Sequence, residues 1–255
     1  MSSLADPKQL AVELIQAAAG SAPVEPFSAR FKGFSRDQAD AVRRAWLALQ
    51  LADGRRVAGA KLGAVEPKWR GRIQTLDAAW GYILDSNLLT DGTTLPAAQV
   101  IEPRVEGEFA FLLARDLAGP GVTAAHALAA TAGVCAAFEI IESRFDRKGT
   151  PDDAWADNLS HGYAVIGTRL VPPASLDLAA ATARLKINGE KKGAGTGAKI
   201  AGHPVHGVVA LANQQPLRAG DLILTGSVTG AVHVKAGDQI RAEFEGLGIL
   251  TLNLE

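Results

Sequence analysis

Along residues 104–113, Val105, Phe109, Phe111 and Leu113 alternate with Glu106 and Glu108, the two-residue period of a β-strand. Both carboxylates then share one face. A second apolar run, Val134-Cys135-Ala136-Ala137-Phe138-Glu139-Ile140-Ile141-Glu142, predicts another strand with Glu139 in its interior. Between them, Pro120-Gly121 breaks the chain and Thr123 caps an alanine-rich helix to about Gly133. A helical connection of this kind predicts a crossover that lays the two acidic strands side by side.

Upstream the period is helical. Residues 6–19 predict a helix with Asp6 as N-cap, Pro7 at its first position, Leu10, Leu14 and Ile15 on one face, and Gly20 as its stop. Residues 21–34 read as loop. A second helix starts at Ser35, with Gln38 in the capping-box position and Ala39, Val42, Trp46 and Leu49 as its apolar stripe. The Asp53-Gly54 turn ends this helical lobe. Residues 56–62 predict a strand in which Lys61 stands among small residues, with Gly59 and Gly63 allowing another group to come close.

Asp91-Gly92 is a hairpin-type turn, and residues 149–155 make a polar loop long enough to cover a site. From residue 183 the pattern is all β. Leu185-Lys186-Ile187 and the Asn188-Gly189 turn mark a hairpin, and residues 193–197 are too rich in glycine for a strand interior, suiting close approach to a neighbouring chain or ligand. Residues 204–212 predict a short helix, and strands follow near 222–225, 231–235, 239–245 and 248–254.

The length of 255 residues suits one large catalytic or binding domain, residues 55–255, beside a helical N-terminal lobe, residues 1–54. A formal charge of −1 with scattered basic residues predicts no nucleic-acid partner. No apolar run approaches a membrane span and the N-terminus lacks a signal-peptide pattern, so no membrane association and a cytoplasmic location are expected. The single cysteine, Cys135, sits in an apolar run and reads as a packed core thiol.

A lone charge at Glu139 costs several kcal/mol of desolvation unless it is paired or bound to a cation. Glu106, Glu108 and Glu139 together call for a shared positive partner, and a hard divalent cation such as Mg2+ or Mn2+ takes such oxygen ligands. The same residues also fit the solvated face of an edge strand, with Glu139 paired to Arg104 or Arg144. Lys61 suits either a surface position or a group that stabilises an enolate or moves a proton beside those acids.

Ordered motifs from about Lys61 onward resemble the fumarylacetoacetate hydrolase superfamily, and within it the 2-keto-4-pentenoate hydratase and 4-oxalocrotonate decarboxylase group. They are Gly59-Ala60-Lys61-Leu62-Gly63, Pro103-Arg104-Val105-Glu106-Gly107-Glu108-Phe109, Ala137-Phe138-Glu139-Ile140-Ile141-Glu142-Ser143-Arg144, Ala156-Asp157-Asn158, Asn188-Gly189-Glu190, Gly202-His203-Pro204 and Leu217-Arg218-Ala219-Gly220-Asp221. The resemblance implies a mixed, β-rich α/β fold with a β-roll and the small helical lobe. It also implies metal ligation by Glu106, Glu108 and Glu139, a small 2-oxo or 2-hydroxy acid as substrate, and a homo-oligomer.

As candidate catalytic residues this reading names Lys61, Asp85, Glu142 and His161, and for the substrate Arg70, Asp157, Asn158 and Ser160. Asp85 equally suits the start of a turn, and His161 is either an acid-base group or a solvent-facing loop residue. Where relatives carry a Thr-Ser pair after the lysine motif, this chain has Ala64-Val65-Glu66-Pro67, so Lys68, Arg70 or Arg72 is expected to supply an anion contact. Hydration of a dienoate is the implied reaction and decarboxylation of an oxo-enedioate its neighbour on the same site. The segment Thr225-Gly226-Ser227-Val228-Thr229-Gly230-Ala231-Val232 looks slightly more like the decarboxylase branch. Acylpyruvate-type carbon-carbon hydrolysis is less well matched, because every histidine lies at or beyond His126. A non-catalytic ligand-binding protein is the alternative from another class.

Overall fold

The computed structural model describes residues 6–63 and 79–255. Helix α1 (Pro7–Gly20) begins where the Asp6 carboxylate accepts the Lys8 N–H, buries Leu10, Ala11, Leu14 and Ala17, and ends at Ser21, which takes a left-handed conformation. Gly20 itself remains helical. Residues 27–30 form a single-turn helix, α2 (Phe27–Arg30), inside the expected loop, because Phe27 is fully buried against the rings of Phe34 and Phe145. Helix α3 (Arg36–Ala52) starts at the Ser35/Gln38 capping box and packs along α1.

Strands β1 (Val57–Gly63), β2 (Ala79–Leu84), β3 (Leu88–Thr90), β5 (Arg104–Leu113), β6 (Thr131–Ile141), β7 (His161–Ile166), β10 (Leu222–Ser227) and β11 (Val232–His233) make an eight-stranded sheet. Its path is β2-β1-β10-β5-β6-β7-β3, with β11 beside β5. The two ends of that path, β2 and β3, are consecutive in the chain and separated only by the turn Asp85–Asn87. Such a sheet must curl into a roll. Across the seam the Asn158 side-chain amide pairs with the N–H and carbonyl of Tyr82 at 2.7 and 2.9 Å, as a neighbouring strand would, and Asn87 reaches the Gly162 carbonyl.

The alternation along β5 sorts its residues between the two sides of the roll. Ile83, Ala110, Cys135, Ala137, Ala164 and Leu224 form a narrow interior core, whereas Val105, Phe109, Phe111 and Leu113 face outward into the main core. That main core is continuous from α1 and α3 to the second sheet, which runs β4 (Thr94–Leu95), β13 (Gly248–Leu254), β12 (Gln239–Phe244), β8 (Thr182–Ile187) and β9 (Glu190–Thr196). Phe109 meets Phe244 of β12 edge to face at 5.9 Å. Each such fully buried ring contributes roughly 2 kcal/mol relative to exposure. Cys135 is buried, as expected, and burial pushes its thiol up to about 11.

Three expectations about the strands are corrected. Strands β5 and β6 pair antiparallel, with Glu106 opposite Glu139, so their helical connection is not a parallel crossover. The helix α4 (Ala124–Ala130) has seven residues, about 10 Å, too short to return the chain along a strand of ten residues and roughly 33 Å. The Asp91-Gly92 turn joins strands of different sheets, since β3 pairs with β7 and β4 with β13. The glycine-rich 193–197 segment runs as strand through Thr196, and a Cβ at Gly193 or Gly195 would lie 2.4 or 2.3 Å from the carbonyl oxygens of Thr229 and Val228. The close approach is therefore to this chain's own backbone.

The polar loop at 149–155 is in fact capped at Thr150 and forms helix α5 (Pro151–Ala156). Its Asp153 accepts the Ser28 N–H at 2.9 Å, and Trp155 lies under Arg36 and Arg43, 3.6 and 4.2 Å from the ring centre. Trp155 and Phe145 give this segment the apolar area that its acidic residues conceal, and both are buried. Helix α6 (Val205–Ala212) buries Val205, Val208 and Leu211 as expected. Among the described residues no helix is long and apolar enough to cross a membrane.

Candidate metal centre and surrounding site

Strand register brings the acids together. Glu106 and Glu139 are direct partners across β5 and β6, a placement that repels like charges, and Glu108 stands two residues further along the same inner face. Oxygens of the three carboxylates lie within 4.8 Å of one another, and Glu108 and Glu139 are buried. On β1, Lys61 pairs with Leu224 of β10 and Gly81 of β2, so its side chain enters the roll from the far wall. The lysine is buried too, and its Nζ forms an ion pair with Glu139 Oε1 at 3.0 Å and donates to the Leu159 carbonyl at 2.8 Å.

The backbone completes the cluster. The β10–β5 register shifts between Leu224 and Ser227, and Gly226, at φ 105°, turns its N–H to Glu108 Oε2 at 2.7 Å. Only glycine adopts that backbone readily. The other Glu108 oxygen is buried without a partner. Asn158, Leu159 and Ser160 have consecutive positive φ angles of 49°, 52° and 56°. A leucine there costs about 1–2 kcal/mol, and the turn is what points the Leu159 carbonyl at Lys61.

Arg144 holds that turn at both ends. Its guanidinium donates to the carbonyls of Asp157 and His161, each at 3.0 Å, and pairs with the carboxylates of Asp157 and, at 2.5 Å, Glu142. All four groups are buried. Burial raises the Asp157 carboxyl to about 6 despite the nearby Arg144 charge.

The electrostatics of the acid cluster report a shortage of positive charge. Burial, then the Glu139 charge, raises Glu106 to about 7, with Lys61 and the Ser227 hydroxyl opposing. Burial and its two acidic neighbours place Glu108 well above the usual carboxylate range. At Glu139 burial acts upward but is outweighed by Lys61 and His161, which hold the acid at about 2. Fully ionised, the three carboxylates would carry more negative charge than Lys61, the ammonium that touches them among the described residues, can offset, and the raised Glu106 and Glu108 carboxyls express that deficit. An all-oxygen donor set with that deficit fits a hard divalent cation.

The other expected site residues divide. His161 is no solvent-facing loop residue: it is buried, opens β7, and places Nδ1 3.0 Å from Glu139 Oε1. Glu142, expected as a catalytic group, pairs through Oε1 with Arg144 while its Oε2 is buried without a partner, and Asp157 and Asn158, expected to meet substrate, are taken up by Arg144 and Tyr82. Ser160 donates its N–H to the Asp157 carbonyl and accepts from Glu142 N with its own. Asp85 is not brought to the cluster. It caps the seam turn at the surface, tied to the N–H and guanidinium of Arg56, four residues beyond the Gly81 that faces Lys61 and so roughly 13 Å along the strand. Arg70, with Lys68 and Arg72, lies outside the described residues.

Arg144, the Leu159 carbonyl and the Gly226 N–H were missed as site groups in the sequence. Only glycine at 226 and an asparagine opening the left-handed turn hint at them.

Residues 58–255 match the fumarylacetoacetate (FAA) hydrolase C-terminal family. The chain is 42% identical over 214 residues to the 2-hydroxyhexa-2,4-dienoate hydratase of Comamonas testosteroni, covering 81% of each protein. It is 31% identical over 254 residues, 95% of each, to the 2-oxo-hept-4-ene-1,7-dioate hydratase of Escherichia coli. Among solved structures it superposes on 4-oxalocrotonate decarboxylase from Pseudomonas putida G7, complexed with magnesium and adipate, with TM-score 0.91, 27% identity, and 98% and 97% of the two chains covered. With the acid cluster, the curled sheet and these matches in agreement, the chain belongs to the fumarylacetoacetate hydrolase family.

Proposed function

We propose that this protein is a divalent-cation-dependent lyase that hydrates a short 2-hydroxy-2,4-dienoate, equivalently a 2-oxo-4-enoate. The observation that carries the reading is the convergence of Glu106, Glu108 and Glu139 on one point inside the roll, beside Lys61, in a chain 42% identical to a dienoate hydratase. A bound Mg2+ or Mn2+ supplies Lewis acidity to the substrate's C1 carboxylate and C2 oxygen. Glu106, Glu108 and Glu139 would hold it, with Gly226 N–H keeping Glu108 in place. Lys61, fixed by Glu139 and the Leu159 carbonyl, has a third N–H for the oxygen on which negative charge develops. The Arg144 brace keeps the 157–161 turn, and so the Lys61 anchor, in position.

Decarboxylation of an oxo-enedioate is the second reading, supported by the TM-score of 0.91 to the Pseudomonas putida decarboxylase. Both reactions develop charge on the same C2 oxygen, so the residues described serve either. Incubating the cation-loaded protein with 2-hydroxypenta-2,4-dienoate and with 2-oxohex-3-enedioate, with products identified by mass, separates them. Water gain on the first supports hydration. Loss of CO2 from the second without water gain on the first replaces it. The reading extends to a homo-oligomer in the cytoplasm, which light scattering and cell fractionation test.

A further inference from the structure

We infer that His161 is a positioning residue for Glu139, fixing which oxygen of that carboxylate is left for the cation; the inference rests on the cation reading above. His161 sits where β6 and β7 slip register between Ile140 and Ile141. By strict alternation residue 161 would share the outward side with Tyr163, which pairs with Ile140. The slip, with the left-handed turn just before it, brings the ring back to the inward-facing Glu139, with Nδ1 3.0 Å from Oε1. Both side chains are almost fully buried, so the contact is not loosened by solvent.

A carboxylate accepts only, so Nδ1 carries the proton, and Nε2 is buried without a partner. Lys61 Nζ lies 3.0 Å from the same Oε1. The hydrogen bond from His161 and the ion pair from Lys61 thus both fall on Oε1. Oε2 is the oxygen left for the cation, toward which Glu139 would act as a one-oxygen ligand. The two donors differ in what else they do. Lys61 is shared with the Leu159 carbonyl and, on the reading above, with the charge that develops on the substrate, whereas His161 makes no other side-chain hydrogen bond among the described residues. The histidine keeps Glu139 oriented while Lys61 works, as an outer partner of a metal ligand does.

The test is calorimetric titration of Mn2+ into wild type, His161→Leu, His161→Asn and Glu139→Gln, with thermal unfolding of each and kcat and KM on the dienoate at saturating Mn2+. His161→Leu removes the donor and is expected to weaken Mn2+ binding about 10–100-fold, with kcat largely retained once the cation saturates. His161→Asn returns an N–H near the Nδ1 position and is expected to recover most of the affinity, which a packing role alone would not produce. Equal affinity in wild type and His161→Leu overturns the inference and leaves the cation reading standing. An Asn variant no better than the Leu variant also overturns it, as does a kcat loss that saturating Mn2+ does not restore. If His161→Leu does not fold, the Asn variant is compared directly with wild type, and a Mn2+ affinity as poor as that of Glu139→Gln overturns the inference. Absence of Mn2+ binding by wild type overturns the cation reading and this inference with it.

Discussion

The Nζ of Lys61 lies 2.8 Å from the carbonyl oxygen of Leu159, a residue held at φ 52°. Backbone strain is thus stored next to the ammonium that, among the described residues, touches the acid cluster. The strain is tolerated because Arg144 and Asn158 hold the turn from both sides.

Asn158→Ala removes two hydrogen bonds to Tyr82 and a side chain that tolerates the left-handed conformation. A loss of about 2–3 kcal/mol is expected, measured by denaturant unfolding. Activity should fall as well, because Lys61 loses its fixed acceptor. Full stability in this variant would remove Asn158 from the seam.

Arg144→Met leaves the Glu142 and Asp157 carboxylates buried without their cation. Breaking such a group from one side costs roughly 3–5 kcal/mol, so the variant is expected to be among the least stable of any single change. The triple change that also converts Glu142 and Asp157 to Gln and Asn should recover much of that loss. Failure to recover would mean that the carbonyl contacts of Arg144, more than its charge, carry its role.

How far was this centre legible in the sequence? The alternation of β5 was enough to set Glu106 and Glu108 on one face, and the apolar surroundings of Glu139 flagged a charge that needs company. Capping residues at Asp6, Ser35 and Thr123 placed three helix starts. What the sequence hid was side-chain pairing: nothing in it says that Arg144 will hold both Glu142 and Asp157, so Glu142 looked free for catalysis and Asp157 for substrate. Asp85 looked chemical because a turn acid and a site acid have the same letter. Helix α5 was read as loop because six residues are too few to display a helical period. Gly226 and Leu159 act through backbone atoms, which sequence patterns register only as permission to bend.

Lys61→Met is expected to lower kcat and kcat/KM together with little change in KM, the pattern of an interaction made mainly as charge develops. A selective rise in KM would make Lys61 a plain carboxylate anchor. Since Lys61 also touches Glu139, Mn2+ affinity should be measured alongside.

Asp157 predicts a pH signature. Its folded carboxyl is raised to about 6 from an ordinary 3.8 by burial, so between those values the folded state holds a proton that the unfolded state has released. The stability from this group is complete below about 4 and is lost as pH rises through about 6. Wild type should therefore lose stability relative to Asp157→Asn across that window, followed by denaturant midpoints at steps of pH. A constant difference between the two would show that Arg144 keeps Asp157 ionised throughout.

The pairing of β1 with β10 sets Lys61 beside Leu224, two residues from opposite ends of the domain. A chain emerging from the ribosome can form the β5–β6 ladder early, because Glu106 and Glu139 are close in sequence. The wall that carries Lys61 gains its inner neighbour only after residues 222–227 have been made. Parallel pairing over such a separation is slow to nucleate. The acid pair is thus assembled long before its counter-charge is locked in, and a nascent chain stalled before Leu222 would present the carboxylates on an open ladder without the strand that backs the lysine.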